Sequence, residues 1–144
     1  MFAIDTNVLV YAHRKDSKFH EPAAQLLRRC AEGAATWAIP WPCVYEFYSI
    51  VTHPRIYAPP STPEQALAQL RAWLSSPTVV VPGEPPGHWR LLADLLRTTS
   101  ITGPVVHDAR VAAICEAHGI GEIVTLDRDF SRFPKLNARS LLAT

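Results

Sequence analysis

Short apolar runs alternate with longer segments of helical pattern along almost the whole chain, and no other feature constrains its architecture as strongly. The runs at residues 2–5, 36–39, 79–82 and 122–125 read as strands, with a weaker one at 138–140. Between them the spacing becomes helical at 21–32, 42–52, 63–75, 87–98 and 105–118, and residues 7–12 add a short helical turn directly after the first strand. Repeated strand–helix–strand units require crossover connections. The expected fold is therefore α/β, a single domain over residues 1–144 with a central, mostly parallel sheet of about five short strands flanked by helices.

Punctuation supports this division. The 13 prolines are roughly twice the usual share. Pro22, Pro42, Pro63 and Pro104 stand where a first helical turn should begin, a place that tolerates the missing N–H. Pro54, Pro59 and Pro60 predict an irregular connection after the 42–52 helix, and PGEPPG at 82–87 a turn. Gly119 is the expected terminator of the 105–118 helix.

Four acidic residues interrupt the apolar pattern: Asp5 in FAIDTNVLVYA, Glu46 in PWPCVYEFYSI, Asp108 in GPVVHDARVAAI and Asp127 in EIVTLDRDF. An ionised carboxylate is costly to bury alone. Several converging on one point repel one another unless a cation neutralises them. Hard oxygen ligands of this kind suit Mg²⁺ or Mn²⁺. The chain thus reads as a small metal-dependent enzyme whose site is assembled from distant segments.

Each acid also has a purely structural explanation to set against this one. Asp5 ends the first strand, at the sheet edge where open α/β folds bind ligands; it could instead only cap the following turn, although Thr6 and Asn7 can cap as well. Glu46 lies on a helix that is apolar nearly all round, so it is expected to be buried, with an ion pair to a residue such as Arg55 as the alternative. Asp108 falls in a first helical turn, where the helix dipole favours a carboxylate. The small residues Ala112 to Cys115 would let that helix pack closely on the sheet and aim Asp108 at the same edge as Asp5. Of Asp127 and Asp129, one can cap the turn at 128–133 while the other chelates, Asp127 being nearer the strand end. His107 adjoins Asp108 but points about 100° away on a helix. The other histidines, His13, His20, His53, His88 and His118, show no ligand spacing, and Trp37, Trp41, Trp73 and Trp89 read as core or interface aromatics.

Composition excludes several classes. A net charge of +1 advertises no general nucleic-acid affinity, so any basic surface must be local, from Arg14, Lys15, Lys18, Arg110, Arg128 and Arg132. Cys30, Cys43 and Cys115 fit neither a disulfide framework nor a zinc motif, and buried thiols in a reducing cytoplasm are expected. No run approaches the roughly 18 apolar residues of a membrane span. MFAID reads as an opening strand rather than a secretory signal. Phosphate loops, nucleophile elbows and HExxH elements are absent.

Four segments, taken together and in order, resemble the PIN-domain family, and within it the VapC-type ribonuclease toxins of bacterial toxin–antitoxin pairs. They are IDTNVLVYA, the acid in PCVYEFYSIVTHPRI, GPVVHDARVAAICEAHGI and EIVTLDRDFSRFP, spanning Met1 to Pro134. The resemblance implies an endoribonuclease using Mg²⁺ or Mn²⁺, with Asp5, Glu46, Asp108 and Asp127 as catalytic acids and Asp5 and Asp108 among the metal ligands. Thr6 and Asn7 match the polar residues that follow the first aspartate, and Asp129 is a supporting acid. It further implies a homodimer, a VapB-type antitoxin partner in a heterotetramer or larger assembly, and a cytoplasmic location. Hydrolysis by an in-line water would leave a 5′-phosphate and a 3′-hydroxyl. Two competing readings are a non-catalytic PIN-like module that binds RNA or protein, and a phosphoacceptor domain. The second needs an acidic pair near the first strand, which Asp5 lacks.

Overall fold

The apolar runs come together as one five-stranded, all-parallel sheet in the computed structural model, which describes residues 1–143. The strands are β1 (Ala3–Ile4), β2 (Trp37–Ala38), β3 (Val79–Val80), β4 (Glu122–Thr125) and β5 (Asn137–Ser140). Around them lie helices α1 (Thr6–His13), α2 (His20–Glu32), α3 (Trp41–Val51), α4 (Pro63–Leu74), α5 (His88–Thr99) and α6 (Val106–Ala117). Short 3₁₀ turns occupy Gly103–Val105, Arg128–Arg132 and Leu141–Ala143.

The strand order is β3-β2-β1-β4-β5. From β1 the chain steps outward to β2 and β3, then returns past its own first strand to lay down β4 and β5 on the other side. The connections leaving β1 and β4 therefore diverge, and a crevice opens between them at the carboxyl edge of the sheet. Register places Ile4 opposite Val124, so Asp5 and Thr125 leave the sheet side by side. The Asp5 amide still donates to the Val124 carbonyl, at 3.1 Å.

The ladder is shorter than the apolar runs suggest. Of residues 2–5 only Ala3 and Ile4 are strand, because Asp5 turns away as the N-cap of α1. At the other edge the pairing outlasts the strands, with Ile39 N–H donating to the Val80 carbonyl and Trp41 N–H to that of Pro82, both at 3.0 Å. The expected turn at 7–12 is a full two-turn helix, α1, and Val8, Leu9, Val10 and Ala12 are all buried against α2, α3 and the sheet. Helix α2 begins at His20, so Pro22 takes the third helical position rather than the first. Pro63 does open α4, behind a Thr62–Gln65 capping box.

The core is continuous across the sheet: Ile4, Ile123 and Val124 from the strands meet Phe47 of α3, Ala109 and Ala112 of α6, and Phe130. Alanine at 109, 112 and 113 lets the α6 backbone approach closely, as the small-residue stretch implied. Where α6 stops, Ile120 N–H bonds the Cys115 carbonyl at 2.9 Å and Gly119 N–H that of Glu116 at 3.2 Å. This is a Schellman closure with Gly119 at φ +69° and the apolar Ile120 buried behind it. The three cysteines are free and buried. No helix among the described residues is long and apolar enough to cross a membrane.

Candidate active site

Acidic side chains from four separate elements gather at the carboxyl edge between β1 and β4. Asp5 is the most enclosed, at 6% exposure. Its Oδ1 accepts from the Thr6 amide at 2.7 Å and its Oδ2 from the Thr125 hydroxyl at 2.7 Å. Capping α1 and joining the acidic group are thus one role, and neither Thr6 nor Asn7 relieves Asp5 of it. The Thr6 hydroxyl instead donates to Glu46 Oε2 at 2.8 Å, which ties α3 to the start of α1. The Asn7 side chain reaches across to β4: its Nδ2 donates to Thr125 Oγ1 at 3.3 Å and its Oδ1 accepts from the Leu126 amide at 3.4 Å.

Asp108, Asp127 and Asp129 form the tightest set. Each offers one carboxylate oxygen, and these three oxygens lie within 4.8 Å of one another. Local sequence explains the presentation. Residues Arg128–Arg132 wind into a 3₁₀ turn, with Asp127 as its N-cap and Asp129 in its first turn. Phe130 and Phe133 are buried, at 0% and 2% exposure, with ring centroids 6.1 Å apart. Those anchored rings fix the turn that carries both aspartates. Asp127 Oδ1 caps the turn by accepting from the Asp129 amide at 2.8 Å. Asp127 therefore both caps the turn and sits with Asp129 in the acidic set, so capping does not separate the two.

The electrostatics record how crowded the acids are. Burial pushes the Asp108 carboxyl up to about 7, helped by the charges of Asp127, Asp5, Asp129 and Glu46. Burial also raises Asp5 to about 6, against the hydrogen bonds from Thr125 and Thr6, with Glu46 and Asp127 adding repulsion. Arg132 stands 3.5 Å from Asp129 on an exposed flank. Carboxylate oxygens this close together could hold a hard divalent cation, and Asp108, Asp127 and Asp129 are the three that meet closely enough to do so. Asp5, expected among the ligands beside Asp108, lies outside that set with both oxygens already accepting hydrogen bonds.

Glu46 departs from expectation in another way, because it is exposed rather than buried. Helix α3 buries Pro42, Cys43, Val44, Phe47 and Val51, while Tyr45 on the open side is 64% exposed. An all-round apolar sequence suggested an enclosed helix; in the fold α3 is covered on one face only. His107 is exposed and takes no part in the acidic set. Among the other histidines, His13 bonds Ser61 and Gln69, and His20 and His118 bond backbone carbonyls.

Thr125 is the site residue that sequence reasoning missed. Its hydroxyl donates to Asp5 and accepts from the Asp127 amide, at 2.7 and 2.8 Å, besides the Asn7 contact. The available signal was its place at a strand end just ahead of the LDRD acids, which acquires meaning only once β4 is known to lie beside β1.

Residues 2–136 match the family model of the PIN domain. Ribonuclease VapC48 of Mycobacterium tuberculosis is 33% identical over 135 residues, covering 94% of this chain and 93% of that protein. Ribonuclease VapC37 of the same species is 31% identical, covering 92% of each. Two solved structures share the fold at TM-score 0.68. One is the VapBC2 complex of Rickettsia felis bound to a promoter DNA fragment, at 22% identity and covering 96% and 97% of the two chains. The other is VapC20 of Mycobacterium tuberculosis, described as a sarcin–ricin loop cleaving toxin, at 18% identity and covering 91% and 93%.

Proposed function

Since this chain belongs to the PIN-domain family and to its VapC ribonuclease branch, we propose that it cleaves RNA hydrolytically as the toxin of a toxin–antitoxin pair. The observation that carries the reading is the convergence of Asp108, Asp127 and Asp129 within 4.8 Å, with Asp5 joined to Asp127 through the Thr125 hydroxyl. Relatives named as ribonucleases over nearly the full chain supply the substrate class.

Mg²⁺ or Mn²⁺ is the proposed cofactor, held by Asp108, Asp127 and Asp129 with the charge of Asp5 behind them. Such an ion, when bound, polarises the scissile phosphate and lowers the pKa of a coordinated water. The protein supplies the rest. Thr125 and Thr6 keep Asp5 ionised by donating to it, and Asn7 ties the ends of β1 and β4 together, which fixes the spacing of the acids. Asp108 or Asp127 would accept the water proton, and the burial that pushes the Asp108 carboxyl up to about 7 supports that role for Asp108. Glu46, steered by Thr6, completes the acidic rim. The products would carry a 5′-phosphate and a 3′-hydroxyl.

A VapB-type antitoxin is the proposed inhibitor, since an arginine or lysine inserted among these carboxylates would take the cation's place. Homodimerisation, assembly with the antitoxin into a heterotetramer or larger complex, and a cytoplasmic setting complete the proposal; unpaired buried thiols suit a reducing compartment. The decisive experiment measures cleavage of cellular RNA with Mn²⁺. Asp5→Asn should lower the rate on the order of 100-fold or more while the thermal unfolding transition survives, and EDTA should abolish activity. Undiminished cleavage in either case would refute the assignment.

A further inference from the structure

Beside the acids, a groove of about 290 Å³ separates α3 from α6. It is framed by two helical stripes at the spacing that shares a face: Tyr45, Glu46 and Ser49 of α3, and His107, Arg110 and Val111 of α6. Glu46 belongs to both the acidic rim and this groove, so the two are continuous. Its volume lies at the lower end of the range for small-molecule sites, about 300–1,000 Å³, and suits a single flat group rather than a folded partner.

We propose that this groove is a subsite for one unpaired nucleotide next to the scissile phosphate, with its base stacked on Tyr45 and its phosphate held by Arg110. The inference rests on the ribonuclease reading and adds to it which residues grip the substrate. Tyr45 is 64% exposed and is backed by Trp41, whose ring centroid is 6.2 Å away at 30°. Trp41 is itself seated against the β3–α5 connection, where a Cβ at Gly83 would come within 3.2 Å of its Cδ1. Neighbouring Glu84 holds the Arg110 guanidinium at 2.7 Å. One loop thus braces the aromatic surface and aims the cation.

The Arg110–Glu84 pair is about one-third exposed on both sides, and such pairs contribute little. Exchanging that carboxylate for an RNA phosphate is therefore inexpensive. The exchange also addresses a difficulty of the site, that a polyanion must approach five clustered carboxylates. A base lying flat on a tyrosine must be splayed from its neighbours, which favours single-stranded or loop RNA over a duplex. His107 and Ser49 line the same groove and can bond base edges.

The test uses the full chain and a fluorescently labelled single-stranded 12-nucleotide RNA. Cleavage is followed with Mn²⁺, and binding by anisotropy with Ca²⁺ in its place. Tyr45→Ala and Arg110→Ala should each raise KM about 5- to 100-fold with kcat within about twofold. Arg110→Ala should also lower the salt dependence of binding by about one charge. Tyr45→Phe and Arg110→Lys should recover most of the loss. If the wild type cleaves and these variants match it in KM and salt dependence, the subsite is wrong while the ribonuclease assignment stands. If the wild type binds without cleaving and Tyr45→Ala abolishes binding, the subsite holds and the enzyme assignment falls. A Tyr45→Ala change that alters only sedimentation would make this face a contact between copies and overturn the proposal.

Discussion

One hydroxyl carries an unusual share of the site. Thr125 Oγ1 has one proton and two lone pairs, and donates to Asp5 while accepting from the Asp127 amide and from Asn7. Valine has nearly the same shape but can make none of these bonds. Thr125→Val should therefore destabilise the protein by about 1–3 kcal/mol, the usual penalty for stranding buried polar groups, measured by denaturant unfolding. It should also move Asp5 further above about 6, since the lost hydrogen bond favoured the ionised form. The acidic limb of the pH–rate profile should then shift upward, and Thr125→Ser should restore it. An unshifted profile would mean that Thr125 acts only structurally. Sequence offers for Thr125 only its place at a strand end ahead of the acids, whereas Asp5 was legible as a charge set in an apolar run.

Secondary elements present the acids by burying something else. Helix α6 places Asp108 at the crevice because Ala109, Ala112 and Cys115 are packed away. The 3₁₀ turn presents Asp127 and Asp129 because Phe130 and Phe133 anchor it. The end of α6 offers a clean test. Gly119 adopts φ +69°, and an added Cβ would meet nothing within 4 Å, so alanine there suffers only the backbone penalty. Gly119→Ala should cost about 1–2 kcal/mol in equilibrium unfolding. It should leave kcat nearly unchanged, because the substitution lies at the opposite end of α6 from Asp108. A large kcat loss would show that closure of the helix end positions the acid. Helices were readable here because their periodicity spans many residues. Strand limits were not, since only two residues each of β1, β2 and β3 enter the ladder.

For the molecule as a whole, the acidic crevice couples folding to pH and to metal. Asp5 and Asp108 titrate at about 6 and about 7 in the metal-free fold, against an ordinary 3.8. The folded chain thus retains protons that the unfolded chain has released. The stability this confers is complete below the ordinary value and is lost as pH rises through 6 and 7. A divalent cation reverses the effect, because it binds the ionised carboxylates and displaces protons. Thermal melts in EDTA should show this source of stability declining between pH 5 and pH 8. Added Mn²⁺ should raise Tm more at pH 8 than at pH 5. Asp108→Asn should flatten the metal-free trend and weaken the Mn²⁺ response. Equal Mn²⁺ shifts at both pH values would contradict a carboxylate-bound ion.

By itself the chain's residue pattern determined the α/β class, the helices, the parallel sheet and the identity of the acids worth suspecting. Those features are local: apolar periodicity, proline and glycine punctuation, and isolated charges in apolar runs can all be read within a dozen residues. Tertiary structure decided which acids come together, that Glu46 is exposed, that Thr125 joins them, and that Arg110 lines a groove with Glu46. Each of these depends on residues brought together from remote parts of the chain. Asp5 and Thr125 meet because β4 was laid against β1, and Arg110 and Tyr45 line one groove because α6 came to rest beside α3.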